Sequence, residues 1–339
     1  MMAKSDFVHL HVHTQYSLLD GACRLNELLS TAAKFKMPAC AITDHGNMFG
    51  TIDFYQKAQE KGVKPIIGSE VYIAPESRFE KSSHGMRDAS YHLLLLAKDE
   101  TGYRNLMKLV SIGYLEGFYY RPRIDKEVLA RHNDGLIGLS ACLKGEIPHL
   151  ILSGDMDNAI RVADQYRHIF GKDNFYLELQ DNKIPDQAKA NKALIKISKE
   201  LDIPLVATND VHYIAKEDAE AHDALICIQT QTTLDDPNRM KMQSDEFYFK
   251  SVDIMKKSFD HIAPEAVTNT VEIAERCNVE LDFTKLHLPQ YNPPEGASRE
   301  EYLKTLVSEG LKKRYGAVDN TVRERVDHEM RIIEKSGYT

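Results

Sequence analysis

The segment FVHLHVHTQYSLLDG (7–21) spaces three histidines, His9, His11 and His13, two residues apart. Side chains alternate across an extended strand, so this spacing puts all three imidazoles on one face. The chemistry that fits is metal ligation, although a lone pair of such histidines could equally be a solvated strand face. Similar groups recur along the chain: Asp20 in the next loop, Asp44 and His45 in TDHGN, Glu70 in GSEVY, His92 opening HLLLLA, Cys142 closing GLSAC, and Asp210 with His212 in NDVH.

Each group alone has a plain structural alternative. Asp44 and His45 precede a glycine, as turn residues do. His92 starts its run and could be a surface or hydrogen-bonded core histidine. A free cysteine such as Cys142 is more often packing than chemistry. Together they are more telling, because they gather at the ends of strand-like runs or in the loops that follow. Imidazole, carboxylate and one thiol suit zinc, manganese or iron better than calcium. So many groups exceed the needs of one ion and suit two or three. Clustered cations suit hydrolysis of a phosphate ester: they neutralise the anion, lower the pKa of a bridging water and stabilise the leaving oxygen.

The elements that must position these residues are alternating strands and helices. The strand-like runs are 7–13, 39–45, 64–73, 92–97, 135–142, 175–179 and 204–213, with amphipathic stretches such as RLNELLSTAAKFKM and DQAKANKALIKISKELD between most of them. Seven strands with helical connections imply an α/β protein with a mainly parallel sheet, open or closed into a barrel, and parallel α/β folds carry their sites at strand C-termini. From 215 to about 285 the pattern turns helical. LHLPQYNPPEG (286–296) reads as a linker, and Ser298 with Glu301 forms a capping-box pattern that opens a further helix.

The chain carries 43 Lys and Arg against 51 Asp and Glu, a net charge of −8. A module whose main task was gripping a nucleic-acid backbone would carry a basic excess, so contact with nucleic acid must rest on a local patch. The odd number of scattered cysteines argues against a disulfide scaffold. No signal peptide and no apolar run of membrane-spanning length is visible. The expectation is a cytoplasmic protein without membrane contact.

The motifs HLHVHT…D, TDHGN, GSE, the later histidine, SAC and NDVH resemble those of the PHP (polymerase and histidinol phosphatase) family. HLLLLAKDETGYRNLMKLVS, VATNDVHYI, TLDDPNRMK and NTVEIAERCNVELDF narrow the resemblance to the form found at the N-terminus of bacterial DNA polymerase III alpha subunits. It implies a distorted seven-stranded (β/α)7 barrel holding two to three divalent ions (Zn2+, Mn2+ or Fe2+). Its ligand positions fall on His11, His13, Asp20, His45, Glu70, His92, Cys142, Asp210 and His212. His84 competes with His92 for the sixth place.

On this reading residues 1–285 are the PHP domain, 286–296 a linker and 297–339 the helical entry to a polymerase core whose own catalytic residues lie elsewhere. The chain, ending just past a helix, is expected to be a fragment. The implied activity is metal-dependent phosphodiester hydrolysis, as a 3′→5′ proofreading exonuclease with no separate catalytic side chain singled out. A non-catalytic, metal-stabilised scaffold and a free-standing phosphatase are the alternatives. Partners would be a single-stranded or mispaired DNA 3′ end, the rest of the polymerase alpha chain and other replicase subunits. In GFYYRPRID, Arg121 and Arg123 are candidate phosphate contacts and Tyr119 or Tyr120 a base-stacking ring. Lys144 is a weaker candidate, and Glu178 is a candidate for orienting a histidine.

Overall fold

The computed structural model describes residues 5–82, 90–285, 289–294 and 296–339. It divides into two compact units, Met1–Glu280 and Leu281–Thr339. His84 and part of the expected linker lie outside the described residues.

In the first unit most of the apolar runs form strands because they are buried on both faces and rich in β-branched or aliphatic side chains, whereas the short strands at 118–119 and 121–124 are partly exposed. The strands are β1 (Ala39–Ile42), β2 (Lys64–Ile73), β3 (Tyr91–Ala97), β4 (Phe118–Tyr119), β5 (Arg121–Ile124), β6 (Leu136–Leu139), β7 (Phe175–Gln180) and β8 (Leu205–Thr208). β1 runs parallel to β2, β6 to β7 and β7 to β8.

The expected first strand, 7–13, is not a regular ladder, yet it closes the ring. His9 O accepts from Ala41 N (3.0 Å) and Val12 O from Thr43 N (3.0 Å) on one side. On the other, His13 N donates to Val211 O (2.7 Å) and Val211 N to His11 O (3.0 Å). The ring therefore runs β1, β2, β3, β6, β7, β8 and the 7–14 segment, a distorted α/β barrel. Its interior is filled by Leu10, Ala41, Ile66, Leu94, Leu139, Tyr176 and Val206, all at most 1% exposed.

Two features depart from the sequence reading. β3 runs antiparallel to both neighbours, β2 and β6. An antiparallel strand presents its start where parallel strands present their ends, which carries His92 to the same rim as the other ligand-type residues. The run GFYYRPRID, not among the strand-like runs of the sequence, forms the β4–β5 hairpin, whose second strand extends the outer part of β2 through Tyr72 and Ile73.

Helices Leu25–Lys34, Thr51–Glu60, Glu100–Leu115, Glu146–Ser153, Met156–Phe170 and Pro185–Leu201 connect the strands, and Ala219–Thr230, Val252–Phe259 and Pro264–Arg276 follow. In the second unit helix Arg299–Tyr315 starts at a reciprocal cap. Ser298 Oγ accepts from Glu301 N (3.2 Å), and Ser298 N donates to Glu301 Oε2 (3.0 Å). Helix Asn320–Ser336 completes this unit. Among the described residues no helix is long and apolar enough to cross a membrane.

Candidate metal centre

His11 and His13 are fully buried at the rim end of the 7–14 segment, and each is turned by a partner behind it. His11 Nδ1 donates to Glu178 Oε1 at 2.6 Å; a carboxylate can only accept, so Nδ1 keeps a proton and Nε2 is the nitrogen turned to the site. Ser17 Oγ spends its own hydrogen on Asp44 (2.7 Å) and accepts from His13 Nδ1 (3.1 Å), with the same result for His13. His212 Nδ1 donates to the carbonyl of Asp210 at 2.8 Å, again leaving Nε2 toward the site. This is how metal-binding histidines are commonly held.

Asp44 itself is a brace. Its carboxylate accepts from Thr14 N (2.6 Å), Thr14 Oγ1 (2.8 Å) and Ser17 Oγ, pinning the turn after His13. Gly21 folds that turn back on itself: a Cβ there would lie 2.1 Å from Thr14 O.

Glu70, 1% exposed at mid-β2, is the hub. Its carboxylate lies 2.7 Å from His45 Nδ1, 2.9 Å from His92 Nδ1, 3.4 Å from His11 Nε2 and 3.7 Å from His13 Nε2. Cys142 Sγ stands 3.9 Å from both Glu70 and His92. Asp210 Oδ1 lies 3.1 and 3.2 Å from the Nε2 atoms of His11 and His13. Asp20 reaches His45 at 3.1 Å and His212 at 3.8 Å. All nine positions implied by the family motifs are thus joined by contacts no longer than 3.9 Å. Backbone strain accompanies them: Asp210 and Ala141, the residue before Cys142, both have positive φ (48° and 62°).

The donor set fits cations. Three triads, His13–His45–His212, His11–His13–Glu70 and His45–Glu70–His92, each bring their ligand atoms within 4.8 Å of one another. The Nε2 atoms of His11 and His13 are 3.1 Å apart, and the buried oxygens Glu70 Oε2 and Asp210 Oδ1 have no hydrogen-bond donor. Lone pairs converging this closely call for positive charge, a proton or a cation, at the centre.

The proton affinities say the same. Burial works against charge on Glu70 and Asp20, but the surrounding histidines outweigh it and hold both carboxyls well below their usual range. Burial likewise opposes charge on His11, yet Asp210 and Glu178 raise its pKa well above the ordinary value, and Glu70 with Asp20 lifts His45 to about 9. A field that would keep a proton there would keep a metal ion there. His13, by contrast, is pushed down to about 3 by burial and by His45 and His212, so its nitrogen is available at neutral pH. Burial, Asp210 and Glu70 push the Cys142 thiol well up, so a thiolate there needs a cation beside it.

The remaining sequence candidates separate. Glu178 stands behind His11 and also accepts from Gln180 Nε2 (2.8 Å) and Thr208 Oγ1. Lys144 is exposed on the rim of a pocket of about 250 Å3 that contains Asp20, Glu70, His92 and Asp210. Arg121 lines an adjoining recess, its guanidinium 5.7 Å from the Tyr72 ring centre.

Arg123 corrects the sequence reading. It is fully buried and donates to the carbonyls of Gly117 (3.2 Å) and Glu80 (2.6 Å), so it braces the hairpin and does not face a phosphate. Tyr119 packs under that guanidinium (5.1 Å), and Tyr120, not Tyr119, lines the recess. His9 lies below the site, its Nε2 donating to Lys250 O at 2.8 Å between Phe7 and Phe249.

Sequence reasoning missed two contributors. The segment after helix Ala219–Thr230 places Met240, Lys241, Met242 and Gln243 on the pocket wall. His222 Nε2 donates to Asp20 O at 2.6 Å and so fixes the Asp20 loop. Neither carries a spacing signal, because both reach the site only through the tertiary fold.

A buried, strand-end cluster of histidine, carboxylate and thiol on a distorted seven-membered α/β barrel defines a candidate metal centre. The PHP domain family model matches residues 9–182, just over half of the chain, and the chain belongs to that family. Its relatives include DNA polymerase III alpha subunits. It is 48% identical to that of Treponema pallidum (strain Nichols) over 99% of this chain and 29% of the relative. It is 48% identical to the Borreliella burgdorferi subunit over 100% and 30%, and 47% to the Thermus aquaticus subunit over 93% and 26%. The chain spans less than a third of the length of these relatives.

Proposed function

We propose that this chain is the PHP region of a bacterial replicative DNA polymerase alpha subunit and that it hydrolyses phosphodiester bonds at DNA 3′ ends, as a proofreading 3′→5′ exonuclease. The observation that carries the reading is the Glu70 hub, where buried imidazole nitrogens and carboxylate oxygens from the ring strands and their loops converge. His11, His13, Asp20, His45, Glu70, His92, Cys142, Asp210 and His212 would hold two to three divalent ions such as Zn2+, Mn2+ or Fe2+. Ions held there supply neutralisation of the phosphate charge and activation of water.

The chain's own residues do the rest. Glu178, Ser17 and the Asp210 carbonyl fix which nitrogen of His11, His13 and His212 faces inward. Lys144 and Lys241, exposed where they line the pocket, meet the phosphates of the incoming strand, and Arg121 meets them from the adjoining recess. The partners are a single-stranded or mispaired primer terminus, the rest of the alpha chain and other replicase subunits, all in the bacterial cytoplasm.

The test is excision of a 3′-labelled, single-stranded or mispaired DNA by the purified, Mn2+- or Zn2+-loaded protein. Wild type should release the terminal nucleotide, and Asp20→Asn should reduce release by orders of magnitude together with its metal content. If Asp20→Asn loses metal yet excises at the wild-type rate, hydrolysis does not occur at this centre. If wild type, fully loaded, excises nothing, the ions only tie the strand ends together.

A further inference from the structure

The centre opens on two sides that share Asp20 and His45. One side is the lysine-rimmed pocket of about 250 Å3. The other is a recess of about 210 Å3 with a different character: Phe49, Tyr72, Tyr114, Phe118 and Tyr120 wall it, and Arg121 is its cation. Four of those rings are exposed, Tyr120 by 65% and Phe49 by 61%. Aromatic rings brought to the surface from a loop, a helix and a hairpin, around one recess, mark a binding site more often than chance scatter.

Tyr120 adds an independent observation. It is the single residue between β4 and β5, with φ at +59°. A side chain of that bulk is disfavoured in the left-handed region, where glycine is at ease. The fold asks for glycine at this tip and carries an exposed tyrosine instead, so strain is kept where the ring overlooks the recess. Each recess is also smaller than the roughly 300–1,000 Å3 that encloses a whole small ligand. Each therefore suits part of a longer molecule. A phosphate monoester needs one recess beside its phosphorus; a diester, with a group on either side, needs two.

Resting on the phosphodiesterase reading above, we propose that the aromatic recess seats one unpaired nucleobase of the substrate, stacked on Tyr120. The adjoining phosphodiester then lies over Asp20 and His45, and the rest of the strand leaves past Lys144 and Lys241. Arg121, held against the Tyr72 ring, presents its guanidinium to the stacked base or its phosphate.

The probe is a single-stranded oligodeoxynucleotide with 2-aminopurine as its 3′-terminal base and a terminal phosphorothioate linkage that slows hydrolysis. Stacking on the purified, Mn2+-loaded protein should quench its fluorescence, a readout that needs no turnover. Tyr120→Gly should weaken binding about 5- to 150-fold, the range for loss of one base–aromatic stack, and abolish the quench. Its melting temperature should not fall, because glycine relieves the backbone. Tyr120→Phe should bind like wild type.

Quenching and affinity unchanged in both Tyr120→Gly and Phe118→Ala would overturn the proposal. So would DNA binding left intact while Tyr120→Gly loosens association with another replicase subunit, which would make the rings a protein interface. The two readings fail separately. A protein that cleaves bis(p-nitrophenyl) phosphate without quenching the probe refutes the base site alone. One that quenches through Tyr120 and cleaves nothing refutes hydrolysis alone.

Discussion

Replacing His9 by glutamine should cost stability and spare metal binding, whereas His11→Gln should forfeit metal. The two histidines share a spacing, but the irregular course of the 7–14 segment gives them different surroundings. The His9 ring is enclosed by Phe249 at 4.2 Å and Phe7 at 4.9 Å between ring centres, and its Nε2 is hydrogen-bonded to Lys250 O. Burial pushes its pKa from 6.5 down to about 4, so it is neutral in the fold. As the pH falls through 6.5 the unfolded chain takes up a proton that the folded chain refuses. The contribution of His9 is therefore complete above pH 6.5 and drains away toward pH 4. From those two values the loss between about pH 7 and pH 5 comes to roughly 2 kcal/mol.

Glutamine can still donate to Lys250 O but lacks the ring, which should cost about 1–2 kcal/mol at neutral pH. It does not titrate in this range, so the variant should escape the acid loss. Urea unfolding in the presence of a chelator, at about pH 7.5 and pH 5, should then show wild type ahead at the higher pH and the two nearly level at the lower. Metal content of His9→Gln, measured at neutral pH, should match wild type. An identical pH slope in the two proteins, or loss of metal from His9→Gln, would refute the reasoning.

Glu178→Gln should leave the fold intact and weaken metal binding by about 10- to 100-fold, because the group orienting His11 is lost; a competitive chelator titration measures it. Arg123→Ala should destabilise by about 2–4 kcal/mol, since a fully buried side chain is removed and the carbonyls of Gly117 and Glu80 lose a charged donor. Arg121→Ala should leave the melting temperature unchanged and raise the KM for DNA, and denaturation beside steady-state kinetics separates the two arginines. Gly21→Ala, whose Cβ would strike Thr14 O, should lower the melting temperature and metal content together.

Much of the barrel and of the ligand cluster was legible because both rest on local periodicity. Both closely spaced pairs, His11 with His13 and Asp210 with His212, reach the rim of the ring, although Asp210 does so through a left-handed backbone position. His92 looked weakest by position, at the start of a run; the antiparallel course of β3 reverses that meaning, and strand direction is not written in a strand's own residues. Arg123 and Arg121 looked alike in sequence, yet Arg123 is buried against the carbonyls of Gly117 and Glu80 while Arg121, beside the hairpin tip, lines the recess. The contributions of Lys241 and His222 depend on where helix Ala219–Thr230 and its following segment settle, a long-range outcome that no local pattern encodes.

That the Glu70 hub holds cations can be tested most directly by metal content. After loading with Mn2+ or Zn2+ and dialysis, elemental analysis should find two to three ions per wild-type chain and fewer than one in a folded Glu70→Gln variant. Folded wild-type protein that retains no stoichiometric metal, or a Glu70→Gln variant that retains the full complement, would contradict it.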